Sequence, residues 1–569
     1  VSINKATSSA IDVGQMTIDE NAASIEYVIR VYDENGKVVD AMTPAPQVIL
    51  PSVPLAVHDS YIVQVTNGSM SQMVTKELEA LAGKGEIRVS VSNSLVTGAL
   101  KQITQRMSVS MFADFFIESR LDKALLINSQ KQPGDVPQIL QSLLGYVDSK
   151  GFVKFYPQAQ RGDVWLTASI LHSLEQEPWA MKLAPAALVD KMKEAVSLVL
   201  TKKADPSYVG KTPMDWMRAQ TVMGRAAFAF GDSALEAKAK AVGATFASQL
   251  QADPAAFGVT QEQWSSSDLV DYWLLQVYTA PTTAMTSPAY LQLLTPSRLV
   301  YIGNMATLAG SPRFTRYYSD ETIETAKLLL GHARLHASAD VARALAVGLV
   351  NANTKSWYAF GTLMSVAQGL KNFGRTYEAQ AVSGSAVVAV PEEQKSMTVD
   401  WSKSASATLT SPWTDAKATV QVTHSGEGQP WVGVQTLTAV PLQAARGQGL
   451  SIDKQTHNIS RDSGNQTGDV IEVTLNIHTV GTVNHVALQD PIPAGSNILS
   501  DAYGDYSNGE KSYSGYKLYF ESLSAGETTV KYQYQLNNPG TFKLPPTRAE
   551  GLYMPGVYGE APNATLNVN

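Results

Sequence analysis

The feature that most constrains this chain is where its hydrophobic period changes. Near the start, Ile25, Tyr27, Ile29 and Val31 alternate with Glu26, Val28, Arg30 and Tyr32 ahead of the turn Asp33-Glu34-Asn35-Gly36. A period of two closed by a Gly-containing turn predicts a hairpin. Pro44, Pro46, Pro51 and Pro54 exclude helix in the next stretch, because each proline removes a backbone donor and restricts the residue before it. Ile87, Val89 and Val91 then mark another strand. From about 99 to 378 the period is helical. Leu188, Val189, Met192, Ala195, Val196, Val199 and Leu200 form one such stripe, the i, i+3, i+4, i+7 pattern of a helix with one buried face. Similar stripes lie near 215–230, 235–250, 267–278, 296–309, 321–336, 340–351 and 357–372. Consecutive helices with short links predict stacked helical hairpins, as an open solenoid or a closed α/α toroid. Trp165, Trp179, Trp216, Trp264, Trp273 and Trp357 fall here, a spread that suits a large core better than one site.

After about 380 the period of two returns. Ala418, Val420 and Val422 alternate with polar neighbours, as do Ile471, Val473, Leu475 and Ile477, and again Val530, Tyr532, Tyr534 and Leu536. Turn clusters such as Asp462-Ser463-Gly464-Asn465 and Asn537-Asn538-Pro539-Gly540 break these strands at sandwich-like spacing. The order is therefore β, all-α, β, β, and a helical block inserted between β segments suggests that 1–100 and 381–448 build one β domain around it.

Composition narrows the chemistry. With no cysteine in 569 residues there is no disulfide, no Cys-ligated metal, no thiol nucleophile and no thiol redox switch. A net charge of −7, without a basic run longer than a pair such as Lys202-Lys203, argues against nucleic acid as a partner. No apolar run approaches the length of a membrane span, and Val1 opens no signal peptide; an export signal already removed, or a longer parent chain, fits both observations.

Several local motifs follow that β, α, β, β order. Val486-Ala487-Leu488-Gln489-Asp490-Pro491-Ile492-Pro493-Ala494-Gly495 ends in a DPIPAG turn, and Leu544-Pro545-Pro546-Thr547-Arg548-Ala549-Glu550 precedes Tyr553-Met554-Pro555-Gly556-Val557-Tyr558-Gly559. Within the helices stand Ser149-Lys150-Gly151-Phe152 and Asp163-Val164-Trp165-Leu166-Thr167-Ala168, and Ile87 to Ser92 leads into them. In this order the motifs resemble the C-terminal part of bacterial α2-macroglobulin-like proteins. The resemblance implies a multidomain α and β fold: an α/α toroid (thioester-domain-like) at 101–380, inserted in a CUB-like β-sandwich at 1–100 and 381–448, then a macroglobulin or receptor-binding-like β-sandwich at 449–569. It also implies a non-enzymatic endopeptidase inhibitor that works without a cofactor in the periplasm or cell envelope. Its partners would be proteases, engaged through an upstream bait region, and other envelope proteins.

One departure from the family stands out. Thioester-bearing members carry a Cys-x-Glu-Gln motif at the start of the toroid, and the matching stretch here, Met107 to Arg120, has neither Cys nor Gln. Met107, Phe112, Ala113, Phe116 and Glu118 mark this degenerate region. By resemblance, Tyr553, Met554 and Tyr558 are candidates for a contact between the terminal domain and the toroid, or else they plug the terminal sandwich. Ser173-Leu174-Glu175-Gln176 looks like the motif with Ser for Cys but follows the Trp-Leu-Thr-Ala match instead of preceding it, so it reads as an ordinary helix end. His332, His336 and Asp340 have metal-ligand spacing on a helix, yet Ala337-Ser338 reads as a link that ends the register. The rival class is a toroid enzyme on a saccharide or isoprenoid using Asp268 and Asp271 as carboxylates; the bland reading makes them a solvated face or a cap after Ser265-Ser266-Ser267. A third reading is an envelope scaffold that has lost inhibition.

Overall fold

Strands form where the sequence alternates, and they pair across the helical block. The computed structural model describes residues 24–25, 28–43, 47–48, 57–65, 68–75, 85–109, 116–128, 130–309, 321–351, 360–413, 417–438, 442–512, 514–552 and 557–569. Ile29–Tyr32 and Val38–Met42 make the first hairpin about the Asp33–Gly36 turn. Gly85–Ser92 lies between Ser406–Pro412 and Trp431–Thr438, and the latter also pairs with Val57–Gln64. A second sheet orders Lys395–Asp400, Ser385–Val390, Lys417–Ser425 and Ser69–Thr75. Ile87, Val89, Val91, Val432 and Val434 from one sheet pack with Ala386, Val388, Val420 and Val422 from the other. Alternation in sequence thus becomes one apolar face per sheet, and burying that face holds strands on both sides of the helical block together.

Within the block, six helices close a ring: Ile117–Ile127, Val164–Gln176, Pro213–Ala226, Ser266–Thr279, Glu321–Arg334 and Phe360–Tyr377, each packed on the next and the last on the first. Their starts are chemically specified. Asp163 accepts from the Leu166 amide at 2.8 Å, Thr212 and Asp215 form a reciprocal capping box, and Ser265 accepts from the Asp268 amide at 3.1 Å. Each bond satisfies an amide that the first helical turn leaves without an intrahelical partner. Other helices, among them Ala186–Leu200 and Ser233–Ala252, pack outside the ring.

The stretch 296–309, whose apolar spacing predicts a helix, is instead a hairpin of Leu299–Ile302 against Met305–Leu308. Gly303-Asn304 forms its tip, with Gly303 at φ 59°. A two-residue Gly-Asn connection is a strong hairpin signal, and it outweighs a short apolar run that suits helix and strand alike.

The terminal strands form a four-stranded sheet ordered Leu450–Asn458, Val470–Thr479, Gly526–Gln535 and Asn497–Ile498, and a six-stranded sheet containing Val483–Pro491 and Gly515–Leu523. Val473, Leu475, Val486, Leu488, Leu518 and Val530 are buried among them. The Asp of the DPIPAG turn is also fully buried. Asp490 accepts from the Lys454 ammonium at 2.5 Å, from the Tyr532 hydroxyl at 2.5 Å and from the Thr547 hydroxyl.

The 299–308 hairpin, itself part of the helical block, meets two other parts of the chain. A Cβ on Gly481 would lie 2.6 Å from Val300, and one on Gly449 3.2 Å from Ile302 and 3.1 Å from Val557, so the terminal sheets approach it too closely for side chains at these two positions. Asn304 donates to the Ile62 carbonyl in the first sheets. Around it, Asn484 donates to Glu321 at 2.7 Å and Arg343 to Gln64 at 2.6 Å.

Candidate functional site

The helical ring encloses a cavity of about 210 Å³. A ring built only for stability would fill this space with aliphatic side chains, since buried charge is costly unless paired. Here ionisable groups face it from five of the helices. Asp122 comes from Ile117–Ile127, His172 from Val164–Gln176, Arg225 from Pro213–Ala226, Asp271 from Ser266–Thr279 and Lys327 from Glu321–Arg334. Lys327 pairs with Asp271 at 2.9 Å and Glu324 at 3.3 Å. Gln368, on the sixth helix, donates to Ser173 at 3.1 Å.

Burial shifts Asp122, Glu324 and His172 toward their neutral forms. It raises the Asp122 carboxyl well above its ordinary range, with the nearby Glu118 carboxylate adding to the shift and Ser173 opposing it. It pushes Glu324 up to about 7 against the pull of Lys327. It drives His172 well below the ordinary imidazole value, helped by the positive charge of Arg225, while a bond to the Val222 carbonyl at 2.9 Å resists. Arg225 is 4% exposed, and among the described residues no carboxylate lies within ion-pair distance of it and its Nε has no hydrogen-bond partner. Its charge is met by the face of the Tyr278 ring at 6.0 Å.

The sequence candidates fall in different places. Met107 is buried on Leu95–Val109. Phe116 precedes Ile117–Ile127 as its N-cap, with its ring 6.0 Å from that of Tyr156. Glu118 is buried one turn before Asp122. Phe112, Ala113, Tyr553 and Met554 lie outside the described residues. Tyr558 is buried in Tyr558–Glu560 with the Arg548 guanidinium over its ring at 4.8 Å; its neighbour Val557 reaches the ring's hairpin.

Ser173 and Gln176 sit inside a helix and serve different partners. Ser173 faces the cavity, whereas the Gln176 carbonyl accepts from Asn372 at 2.6 Å. Asp268 and Asp271 serve different partners. Asp268 is held by Arg218 through two bonds of 2.7 Å and by the Ser265 hydroxyl at 2.8 Å, which makes it part of a helix start; Asp271 faces the cavity. His332, His336 and Asp340 also diverge, because the helix ends at Arg334 and His336 takes a left-handed φ of 48°. His332 is fully buried with Tyr290 Oη 3.0 Å from its Nε2, and Asp340 is exposed beside Arg343. Among the described residues no cluster of His, Asp and Glu could hold a metal, and no helix is long and apolar enough to cross a membrane. Reasoning from sequence missed the cavity. Its signal was polar residues within helical stripes, such as His172 and Arg225, which look like surface positions until the ring closes.

Comparison with known proteins bears on the terminal sheets most directly. Residues 449–556 match the family described as the bacterial alpha-2-macroglobulin MG10 domain. No curated protein matches the chain. Among solved structures, native Escherichia coli alpha-2-macroglobulin from domain MG7 to the C-terminus is 13% identical, with 95% of this chain and 86% of that one covered at a TM-score of 0.41. Salmonella alpha-2-macroglobulin reacted with methylamine is 16% identical, covering 94% of this chain and 35% of that one at 0.41. Escherichia coli alpha-2-macroglobulin activated by porcine elastase is 14% identical, covering 94% and 48% at 0.45. The chain therefore spans roughly a third to a half of the longer of these proteins. Residues 449–556 thus match the MG10 domain of bacterial alpha-2-macroglobulins, and the chain is similar to the C-terminal portion of one such protein.

Proposed function

We propose that this chain is the C-terminal region of a thioester-independent, exported protease trap. The observation that carries the reading is the MG10 match over 449–556 in a domain seated directly on the helical ring. In this reading the ring is the thioester-domain-like toroid, the paired sheets around it are the CUB-like sandwich, and the protein acts in the periplasm or cell envelope. The absence of cysteine removes the covalent step that the family's thioester would perform. What is left is mechanical. A protease cuts a bait segment elsewhere in the parent protein, the balance between two packings of ring, sheets and terminal domain shifts, and the protease is enclosed or hindered without an acyl bond. The packing between ring and terminal domain is suited to such a shift. It combines close van der Waals contacts at two glycines with a hydrogen bond from Asn484 to Glu321.

Incubating the full-length protein with elastase or trypsin tests this. The expected result is a discrete upstream cut, a mobility change on native gels, lost protease activity on large substrates with activity on small peptides retained, and no adduct surviving SDS. No mobility change and no inhibition would overturn it. Recovery of a non-protease envelope partner, with no inhibition, would instead identify a scaffold.

A further inference from the structure

The cavity inside the helical ring has a use that protease restraint does not supply. Its most unusual member is Arg225, a buried cation that faces the space with no carboxylate within ion-pair distance among the described residues. Burying an ion without a counter-ion costs several kcal/mol, and the Tyr278 ring face only partly offsets that cost, so an anion in the cavity would find a favourable partner in Arg225. The other cation, Lys327, is already taken by Asp271 and Glu324. The wall also offers Asp122, whose Oδ1 has no hydrogen-bond partner among the described residues, together with Ser173 and Gln368. Burial keeps the Asp122 carboxyl toward its protonated form, which makes it a donor as well as an acceptor. His172, held toward neutrality, adds no competing positive charge beside Arg225. An apolar cavity of roughly 150 Å³ accommodates benzene; at about 210 Å³ this one has room for a somewhat larger molecule.

We propose that the ring cavity is a binding site for a small hydroxylated carboxylate, whose carboxylate takes the Arg225 guanidinium and whose hydroxyl groups meet Asp122, Ser173 and Gln368. A planar guanidinium suits a carboxylate through paired charge-assisted hydrogen bonds, and the polar groups of Asp122, Ser173 and Gln368 on an otherwise largely apolar wall favour an acid that also carries hydroxyl groups. The site stands apart from the trapping mechanism: among the described residues no hydrogen bond or ion pair joins these side chains to the terminal domain or the 299–308 hairpin.

Malate is a suitable probe, with its neutral diamide as control. Saturation-transfer NMR and calorimetry on the intact chain should detect malate and not the diamide, and Arg225→Met should weaken malate binding by tenfold or more. The same variant should melt at the wild-type temperature or above it, because it removes a buried unpaired cation while keeping much of the side chain's volume. Lys202→Met, on the surface, should leave binding unchanged. Absence of binding at millimolar malate would overturn the proposal, as would binding that survives Arg225→Met. A sharply lowered melting temperature for Arg225→Met would also overturn it, since the arginine would then be serving the fold. None of these outcomes depends on whether proteases are inhibited.

Discussion

Replacing Asp490 by asparagine should destabilise the terminal sheets far more than a one-atom change suggests. The carboxylate has no exposed surface and gathers the Lys454 ammonium and the Tyr532 and Thr547 hydroxyls. Asp490→Asn keeps the shape but strands the Lys454 ammonium, whose side chain is only 11% exposed. Breaking one side of a buried ion pair costs about 3–5 kcal/mol. Adding Lys454→Met to the same chain removes the stranded charge. What then remains is the weakening of two hydroxyl bonds at about 0.5–1.5 kcal/mol each, so the double variant should be more stable than Asp490→Asn alone. A chain of several domains does not give one unfolding transition. The measurement is therefore hydrogen exchange by mass spectrometry along a urea series, read on peptides from Val470–Thr479 and Gly526–Gln535. Loss of under about 1 kcal/mol in the single variant, or a double variant less stable than the single, would refute the assignment of Asp490 as the hub of this core.

Gly481→Val should loosen the terminal domain from the ring, since its new Cβ would meet Val300 at 2.6 Å; overpacking of this kind costs about 1–3 kcal/mol and should appear as faster exchange in 299–308. Unchanged exchange there would place the docking elsewhere. His332, whose pKa burial lowers from 6.5 to about 4, gives the ring acid sensitivity. The neutral form's contribution is present above pH 6.5 and is lost as pH falls through about 4, amounting to about 3 kcal/mol at most. The urea dependence of hydrogen exchange in ring peptides, compared between pH 7 and 4, should show less loss of stability in His332→Phe than in wild type, and equal losses would contradict this. Thr212→Ala should cost the ring about 1 kcal/mol through loss of its capping box, seen as faster exchange at the start of Pro213–Ala226 with the remaining helices unaffected.

Long periodic signals were legible in the sequence because they depend on one element at a time. The stripe at 188–200 became the buried face of Ala186–Leu200, and the alternation at 471–477 became a strand buried on one side. The 296–309 hairpin was hidden because its apolar residues fit both periods, and only the Gly303-Asn304 tip decides between them. Asp490 stood out as part of a motif, but its role did not, because Lys454, Tyr532 and Thr547 are brought to it from 36, 42 and 57 residues away. The cavity was hidden for the same reason. Its polar residues come one to three from each helix, and nothing local shows that Asp122 and Gln368 share a space. Asp268 shows the converse: the serines before it indicated a helix start, and Arg218 completed that role from another helix.

The 299–308 hairpin gives the molecule an unusual mechanical constraint. Because one short ribbon touches the first sheets through Asn304, the terminal sheets through Val300 and Ile302, and belongs covalently to the ring, the three bodies share a common fulcrum. Two bodies hinged in isolation can reorient without disturbing a third. Here a tilt of the terminal sheets bears on the ribbon's strands while its tip is held at Ile62, so the displacement reaches the first sheets as torque.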